Sequence, residues 1–479
     1  MLDLNFLTSR WRHQLLCAVL LCGSSALQAQ TQLPPSVDAA LLKAKIPREA
    51  IALLLVDAQE RATPRLSHRA QEPMNPASLM KLLTTYAALD QLGPNFTWST
   101  PVYVDGVIRD NTLFGNLHIK GQGDPKLVAE RLWLLLRRVQ GLGFKSIVGD
   151  IVLDRSAFEL VAQDPGEFDG ERLRPYNVAP DALLLNFKSV LMTFVPDRAA
   201  KRASVSYDLP LADVQMQTSV PLQQGECNDY RSSLRADFSD PNRIRFTGSY
   251  PSSCGERVWP VAYADPANHA ARAIQGLWQE MGGKLTGTVR DGKWPSSSGT
   301  SVKPLFEINS APLAELIRDI NKYSNNVMAQ QLFLTLSLQQ KGLGSLAGSR
   351  QLLYQWWRER LGPEDTPVLD NGSGLSRHER ITAQALARLL QHAYLSPLMP
   401  ELMSSLPITG LDGTLKRSRA KSGGAHLKTG SLRDVAGVAG YVLGESGKRY
   451  ILVVIVNHPQ ANLARPAIDA LIDWTIKDG

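Results

Sequence analysis

Near both ends of this chain the apolar residues fall in almost unbroken runs. Ile51 to Asp57 is one, and a polar turn separates it from a second strand-like stretch, Arg65 to Ala70, and then from helical patterning that continues through Leu89. Val435 to Leu443 and Arg449 to Asn457 read as paired strands joined by Gly444-Glu445-Ser446-Gly447, and 461–477 reads as a final amphipathic helix. These patterns predict that both ends share one antiparallel sheet carrying helices. The middle has a different texture. From about Phe96 to Trp259, short alternating runs such as Thr112 to Lys120 and Ser146 to Leu153 are broken by Gly, Pro and Asp turns, as in a mostly β insertion. Helical patterning resumes over Pro266 to Met281, and Pro295 to Gly299 marks a loop. The expected organisation is therefore one domain over 30–95 and 260–479, interrupted by an inserted β region, 96–259, of one or two subdomains. No repeat of fixed period is present.

The bulk numbers agree with this division. A chain of 479 residues is too long for one ordinary core. Its 44% apolar and 20% charged content is that of a globular protein. The net charge of +7 is spread along the sequence and no nucleic-acid motif accompanies it, so it suits either a solvated surface or an anionic polymer or membrane surface as neighbour. Residues 1–29 read as a secretory signal: Arg10, Arg12 and His13 precede the apolar run Leu15 to Leu27, and Leu27-Gln28-Ala29 offers small residues for cleavage. That run is short of the about 20 residues a bilayer span needs, so an exported protein with no membrane span is expected. Beyond the signal only Cys227 and Cys254 remain. They suit a single disulfide in an oxidising compartment, contributing roughly 3 kcal/mol, or two buried thiols. No metal-ligand pattern occurs among the histidines, and no cofactor is expected.

The chemistry is concentrated in three short motifs. Ser78 and Lys81, in Pro76-Ala77-Ser78-Leu79-Met80-Lys81, place a hydroxyl and an amine on one face at a helix start, with Asn75 expected as N-cap and Pro76 as first helical residue. A serine with a lysine base is a nucleophile for acyl transfer, provided burial or nearby cations depress the amine. Ser324-Asn325-Asn326 offers a second serine, suited to relay a proton, and an amide that can hold the substrate or Lys81; it also suits a cap before the helix Val327 to Leu338. Lys428-Thr429-Gly430 lies in a strand-like run, His426 to Ser431, where Lys428 can bind a terminal carboxylate and Gly430 leaves room for a substrate backbone along the strand edge. The backbone N–H groups of Ser78 and Ser431 are the expected oxyanion donors. In this order the three motifs are the signatures of serine enzymes that act on penicillin or on D-alanyl peptides.

With a long insertion between the first two motifs, the chain resembles the class C low-molecular-mass penicillin-binding proteins, the type 4 D-alanyl-D-alanine carboxypeptidase/endopeptidase family. Gly121-Gln122-Gly123-Asp124-Pro125, Asp370-Asn371-Gly372-Ser373-Gly374-Leu375-Ser376-Arg377 and Leu406-Pro407 through Gly413-Thr414-Leu415 extend the resemblance from about residue 48 to the C-terminus. Asn371 adds a residue to the commoner D-G-S-G form and is expected to disturb that loop. The resemblance implies an α/β (α+β) domain of the penicillin-recognising serine transpeptidase/β-lactamase type. It also implies periplasmic hydrolysis of D-Ala-D-Ala or D-Ala-diaminopimelate bonds of peptidoglycan peptides, and acylation by β-lactams. An aspartate of the insertion can then meet the amine of the substrate's third residue; Asp154, in Leu153-Asp154-Arg155-Ser156, is the one expected, although it equally suits a turn. Two other readings share these residues: a serine β-lactamase, which the size of the insertion opposes, and an inert peptidoglycan-binding scaffold, which the full set of Ser78, Lys81, Ser324, Asn326 and Lys428 opposes. Oligomeric state is not legible.

Overall fold

The computed structural model describes residues 32–59, 63–159, 163–294 and 303–478. The expected signal segment, 1–29, lies outside them. Strands Ile51–Asp57, Leu66–His68, Ala425–Leu432, Val435–Leu443 and Arg449–Asn457 form one antiparallel sheet with Ile51–Asp57 between Leu66–His68 and Arg449–Asn457. Ile51 pairs with Val456 and Asp57 with Tyr450, so the two ends of the chain are adjacent strands.

The unbroken apolar runs have a simple cause. Successive side chains of a strand point to opposite faces, and here both faces are covered. Ala52, Leu54 and Val56 enter one core with the helices Lys81–Leu92, Asn326–Lys341 and Ala383–Tyr394; Ile51, Leu53 and Leu55 enter another with the helices Pro35–Lys43 and Arg465–Ile476. Each such leucine contributes about 1.5–3 kcal/mol by burial, and no position in the run can be polar without loss. The same sandwich fixes the edge of the site, because Ala425–Leu432 is the outermost strand, its outer edge bridged at His426 by Ile408.

The inserted region holds a five-stranded sheet, a three-stranded sheet and a seven-stranded sheet around a separate core. Cys227 and Cys254 are joined there as a disulfide, with S–S 2.05 Å. The region reaches further along the chain than residue 259. Helix His269–Glu280 packs Ala273, Ile274, Leu277 and Trp278 into the insertion's core. Lys284–Leu285 and Val289–Asp291 then add as parallel strands to Ser146–Val148 and Ile151–Asp154, and Phe306–Asn309 returns antiparallel to Ser99–Arg109. The chain rejoins the first core only at helix Leu313–Lys322. An amphipathic helix reports that it covers a sheet, not which one, and strands of two to four residues carry almost no alternation. Among the described residues no helix is long and apolar enough to cross a membrane.

Candidate active site

Ser78 does not sit in an α-helix. Residues Ala77–Met80 form a 3₁₀ turn, and the α-helix begins at Lys81. Asn75 is not the helix N-cap: its Oδ1 accepts from the Ala77 N–H at 2.9 Å, its Nδ2 donates to the Ser376 carbonyl at 3.0 Å, and its own N–H donates to Asn457 Oδ1 at 2.8 Å. The turn is held in an unfavourable conformation, with Ala77 at φ +46°. Two glycines let neighbouring backbone close on it. A Cβ at Gly374, itself at φ +81°, would lie 1.9 Å from the Ala77 carbonyl oxygen, and one at Gly430 would lie 2.5 Å from the Pro76 oxygen. The space beside Gly430 is thus filled by the nucleophile turn, not kept open for a substrate backbone.

Lys81 is wholly buried. Its Nζ lies 2.9 Å from Ser78 Oγ and 2.7 Å from Asn326 Oδ1, and it also contacts the Ser373 carbonyl. Burial disfavours the ammonium and pulls its pKa down to about 7, against the opposing pull of the Glu379 carboxylate. In the neutral amine, two N–H bonds to Asn326 and Ser373 leave the nitrogen lone pair aimed at the Ser78 hydroxyl. Near pH 7 that form is well populated.

Ser324 is in the left-handed region at φ +57°, and Asn325, not Asn326, caps the following helix by accepting from the Met328 N–H at 3.1 Å. This frees Asn326 to reach Lys81 with its oxygen and the Tyr176 carbonyl, on a segment of the insertion, with its Nδ2 at 3.1 Å. Lys428, also fully buried, donates to Ser324 Oγ at 2.9 Å and to the Thr429 carbonyl at 2.8 Å. Burial, and then the nearby Lys81, push its pKa well below the usual lysine value. An arriving carboxylate would restore its proton.

All five motif residues therefore converge. Ser78, Ser324, Asn326, Thr429, Gly430 and Ser431 line one cleft of about 860 Å³, with Lys81 and Lys428 directly behind the two serines. The Gly413–Leu415 turn also lines the cleft and is tied to the edge strand by a 2.7 Å bond between the hydroxyls of Thr414 and Thr429. Asp154 is elsewhere. It is buried in the inserted sheet, its carboxylate accepting from the N–H groups of Ser156 at 2.9 Å and Trp294 at 3.0 Å. The acidic group that the insertion does bring to the cleft is the exposed Asp169, which sequence reasoning missed. Burial opposes its charge, but hydrogen bonds from Asn177 and Tyr176 and the nearby Arg377 hold its pKa below the usual value. Asp124 of the Gly121–Pro125 segment is likewise a turn residue, accepting from the Lys126 N–H at 2.8 Å. Asn371 does not disturb its loop: its Oδ1 accepts from the Ser373 N–H at 3.0 Å and hydroxyl at 2.7 Å, and its Nδ2 donates to the Leu375 carbonyl.

This architecture has known relatives. The chain is 26% identical over 444 residues to a D-alanyl-D-alanine carboxypeptidase of Actinomadura sp. (strain R39), covering 89% of this chain and 81% of that protein. It is also 26% identical over 393 residues to the D-alanyl-D-alanine carboxypeptidase DacB of Haemophilus influenzae, covering 80% of each. In fold it matches the crystal structure of penicillin-binding protein 4 of H. influenzae with a TM-score of 0.71 at 23% identity, over 91% of this chain and 99% of that one. A predatory endopeptidase of Bdellovibrio bacteriovorus shares the fold at a TM-score of 0.55 and 14% identity, over 89% and 93% of the two chains. A family model matches residues 33–477, taking in both the terminal sheet and the insertion. By that match the chain belongs to the D-Ala-D-Ala carboxypeptidase 3 (S13) family.

Proposed function

We propose that the protein is a serine hydrolase of D-alanyl peptides, a D-Ala-D-Ala carboxypeptidase that also opens D-Ala-diaminopimelate cross-links of peptidoglycan and is acylated by β-lactams. The observation that carries this reading is the pair of buried lysines, each 2.9 Å from a serine hydroxyl lining one cleft. In the reaction the neutral amine of Lys81 takes the Ser78 proton, and Ser78 Oγ attacks the carbonyl of the penultimate D-alanine. The oxyanion forms between the N–H groups of Ser78 and Ser431. The amide C–N bond then breaks as the proton that Lys81 took from Ser78 passes by way of Ser324, which Lys428 orients, to the departing amine, leaving Lys81 neutral again. Water enters and gives a proton to Lys81 as its oxygen attacks the ester carbonyl, and Lys81 returns that proton to Ser78 Oγ as the ester C–O bond breaks. Asn326 fixes Lys81 and the insertion segment at Tyr176 together. The expected signal segment fits work outside the cytoplasm on this substrate.

Carboxylate recognition tests the substrate class. Lys428→Ala is expected to raise KM for a stem peptide ending in free D-Ala-D-Ala by roughly 10- to 100-fold, with a much smaller change for the same peptide ending in an amide. Equal losses on both peptides, or no release of D-alanine by the unaltered enzyme, would overturn the carboxypeptidase reading. Asp169 is assigned the amine of the substrate's third residue, the place first expected for Asp154. Asp169→Asn should weaken kcat/KM by about tenfold for a peptide with diaminopimelate at that position, and should spare one with an uncharged residue there. If the two peptides lose equally, Asp169 only shapes the loop.

A further inference from the structure

Behind Lys81 lies a carboxylate that none of the three motifs includes. Glu379 is completely buried, and its Oε1 accepts from three consecutive backbone N–H groups, those of Asp370 and Asn371 at 3.2 Å and Gly372 at 3.0 Å. Its Oε2 is buried without a hydrogen-bond partner among the described residues. A buried carboxylate with one oxygen unsatisfied is costly, and a core is not obliged to tolerate it. The three N–H groups belong to the turn just before Ser373, whose carbonyl contacts Lys81 Nζ. The same turn is pinned by Thr84 Oγ1 donating to the Gly372 carbonyl at 2.6 Å and by Gln330 Nε2 donating to Ser373 Oγ at 3.3 Å. A continuous chain of contacts therefore runs from Glu379 through the turn to Ser373, Lys81 and Ser78.

Resting on the reading of Lys81 as the acylation base, we propose that Glu379 is a positioning residue for that step: it fixes the turn that presents the Ser373 carbonyl to Lys81, and its charge acts on the lysine from behind. The charged groups around it are few. Lys81 faces it from the start of helix Lys81–Leu92, and Asp370 faces it from the turn, with Arg350 of helix Leu346–Leu361 paired to Asp370 at 3.5 Å. Arg380 bonds the Glu379 backbone carbonyl at 2.8 Å, and Lys428 interacts with Lys81 from the far side. Burial raises the Glu379 pKa, and the charge the carboxylate carries acts on Lys81 in the opposite sense to the burial of that lysine. A negative Glu379 favours the Lys81 ammonium and delays formation of the base. The carboxylate thus raises the pH at which acylation switches on, against the larger effect of burial.

The test is the pH dependence of acylation by penicillin in Glu379→Gln and Glu379→Asp, with folding checked by thermal melting. Glutamine keeps an oxygen for the three N–H groups and removes the charge, so the acidic limb should move to lower pH by roughly one unit. Aspartate keeps the charge on a shorter stem, so the limb should stay while the rate falls by about tenfold from a displaced Ser373 carbonyl. A limb unmoved in Glu379→Gln, with only a uniform loss of rate, would reduce Glu379 to a packing residue and overturn the proposal. If glutamine prevents folding, Glu379→Asp decides alone: a shifted limb or an unchanged rate overturns it. Either failure leaves the role of Lys81 standing, because that role falls only if a lysine-free variant keeps its acylation rate.

Discussion

Ser78→Ala is expected to remove covalent labelling by penicillin completely and to lower release of D-alanine from stem peptides to the level without enzyme. Ser324 cannot substitute. Its hydroxyl is 2.9 Å from Lys428, an amine that also donates to the Thr429 carbonyl, while in the proposed reaction the acyl carbonyl sits between the N–H groups at positions 78 and 431. The strained turn, with Ala77 at φ +46° and glycines 374 and 430 packed on it, places Ser78 on the cleft wall with its oxygen 2.9 Å from Lys81. Alanine at 78 preserves the turn and is nearly isosteric, so the variant should melt within about 1 kcal/mol of the parent. Intact-mass measurement after penicillin gives the answer directly. An adduct of full stoichiometry on Ser78→Ala would mean that another nucleophile, most obviously Ser324, carries the chemistry.

The cleft also marks where sequence reading reaches its end. Ile51–Asp57, Val435–Leu443 and Arg449–Asn457 were legible to the residue because a sheet covered on both faces demands an unbroken apolar run, and turn residues bound each one. The three motifs were legible because they occur together and in order; a serine three residues before a lysine is by itself an ordinary helix start. What failed did so for physical reasons. Helix His269–Glu280 carries a clear amphipathic face, but periodicity cannot say that the face meets the inserted sheet. Asp154 sits in a strand and Asp169 in a loop; both are followed by turn-forming residues, and only three-dimensional placement separates a satisfied β-sheet carboxylate from one facing the cleft. Gly430 reads the same whether the missing side chain admits a substrate or the Pro76 carbonyl. Glu379 had no signal, since a glutamate after Ser376-Arg377-His378 has the look of a solvated loop residue and its burial arises from contacts with a turn seven to nine positions earlier.

Lys81→Met is the second change with a large expected effect, and it separates the base from everything that tunes it. Methionine fills the buried volume without a titratable group, so loss of packing should be small. Acylation should fall by about 10²–10⁴-fold, the usual worth of a positioned general base. In the unaltered enzyme the rate should rise with pH through about 7, because the reactive species is the neutral amine and burial has lowered the lysine to that range. The sign follows from the depressed pKa: protonation below about 7 fills the lone pair that faces Ser78, and rates fall as pH drops. In Lys81→Met this limb should vanish. Lys428 gives an internal control. It loses the neighbouring positive charge that helps depress its own pKa, so its ammonium should persist to higher pH and carboxylate-bearing peptides should bind at least as tightly. Rates of acylation between pH 5 and 9, with peptide affinity measured in parallel, distinguish the cases. A limb that survives near pH 7 in the methionine variant would have to belong to Lys428 or Glu379, and the proton from Ser78 would then leave by way of Ser324 instead of Lys81.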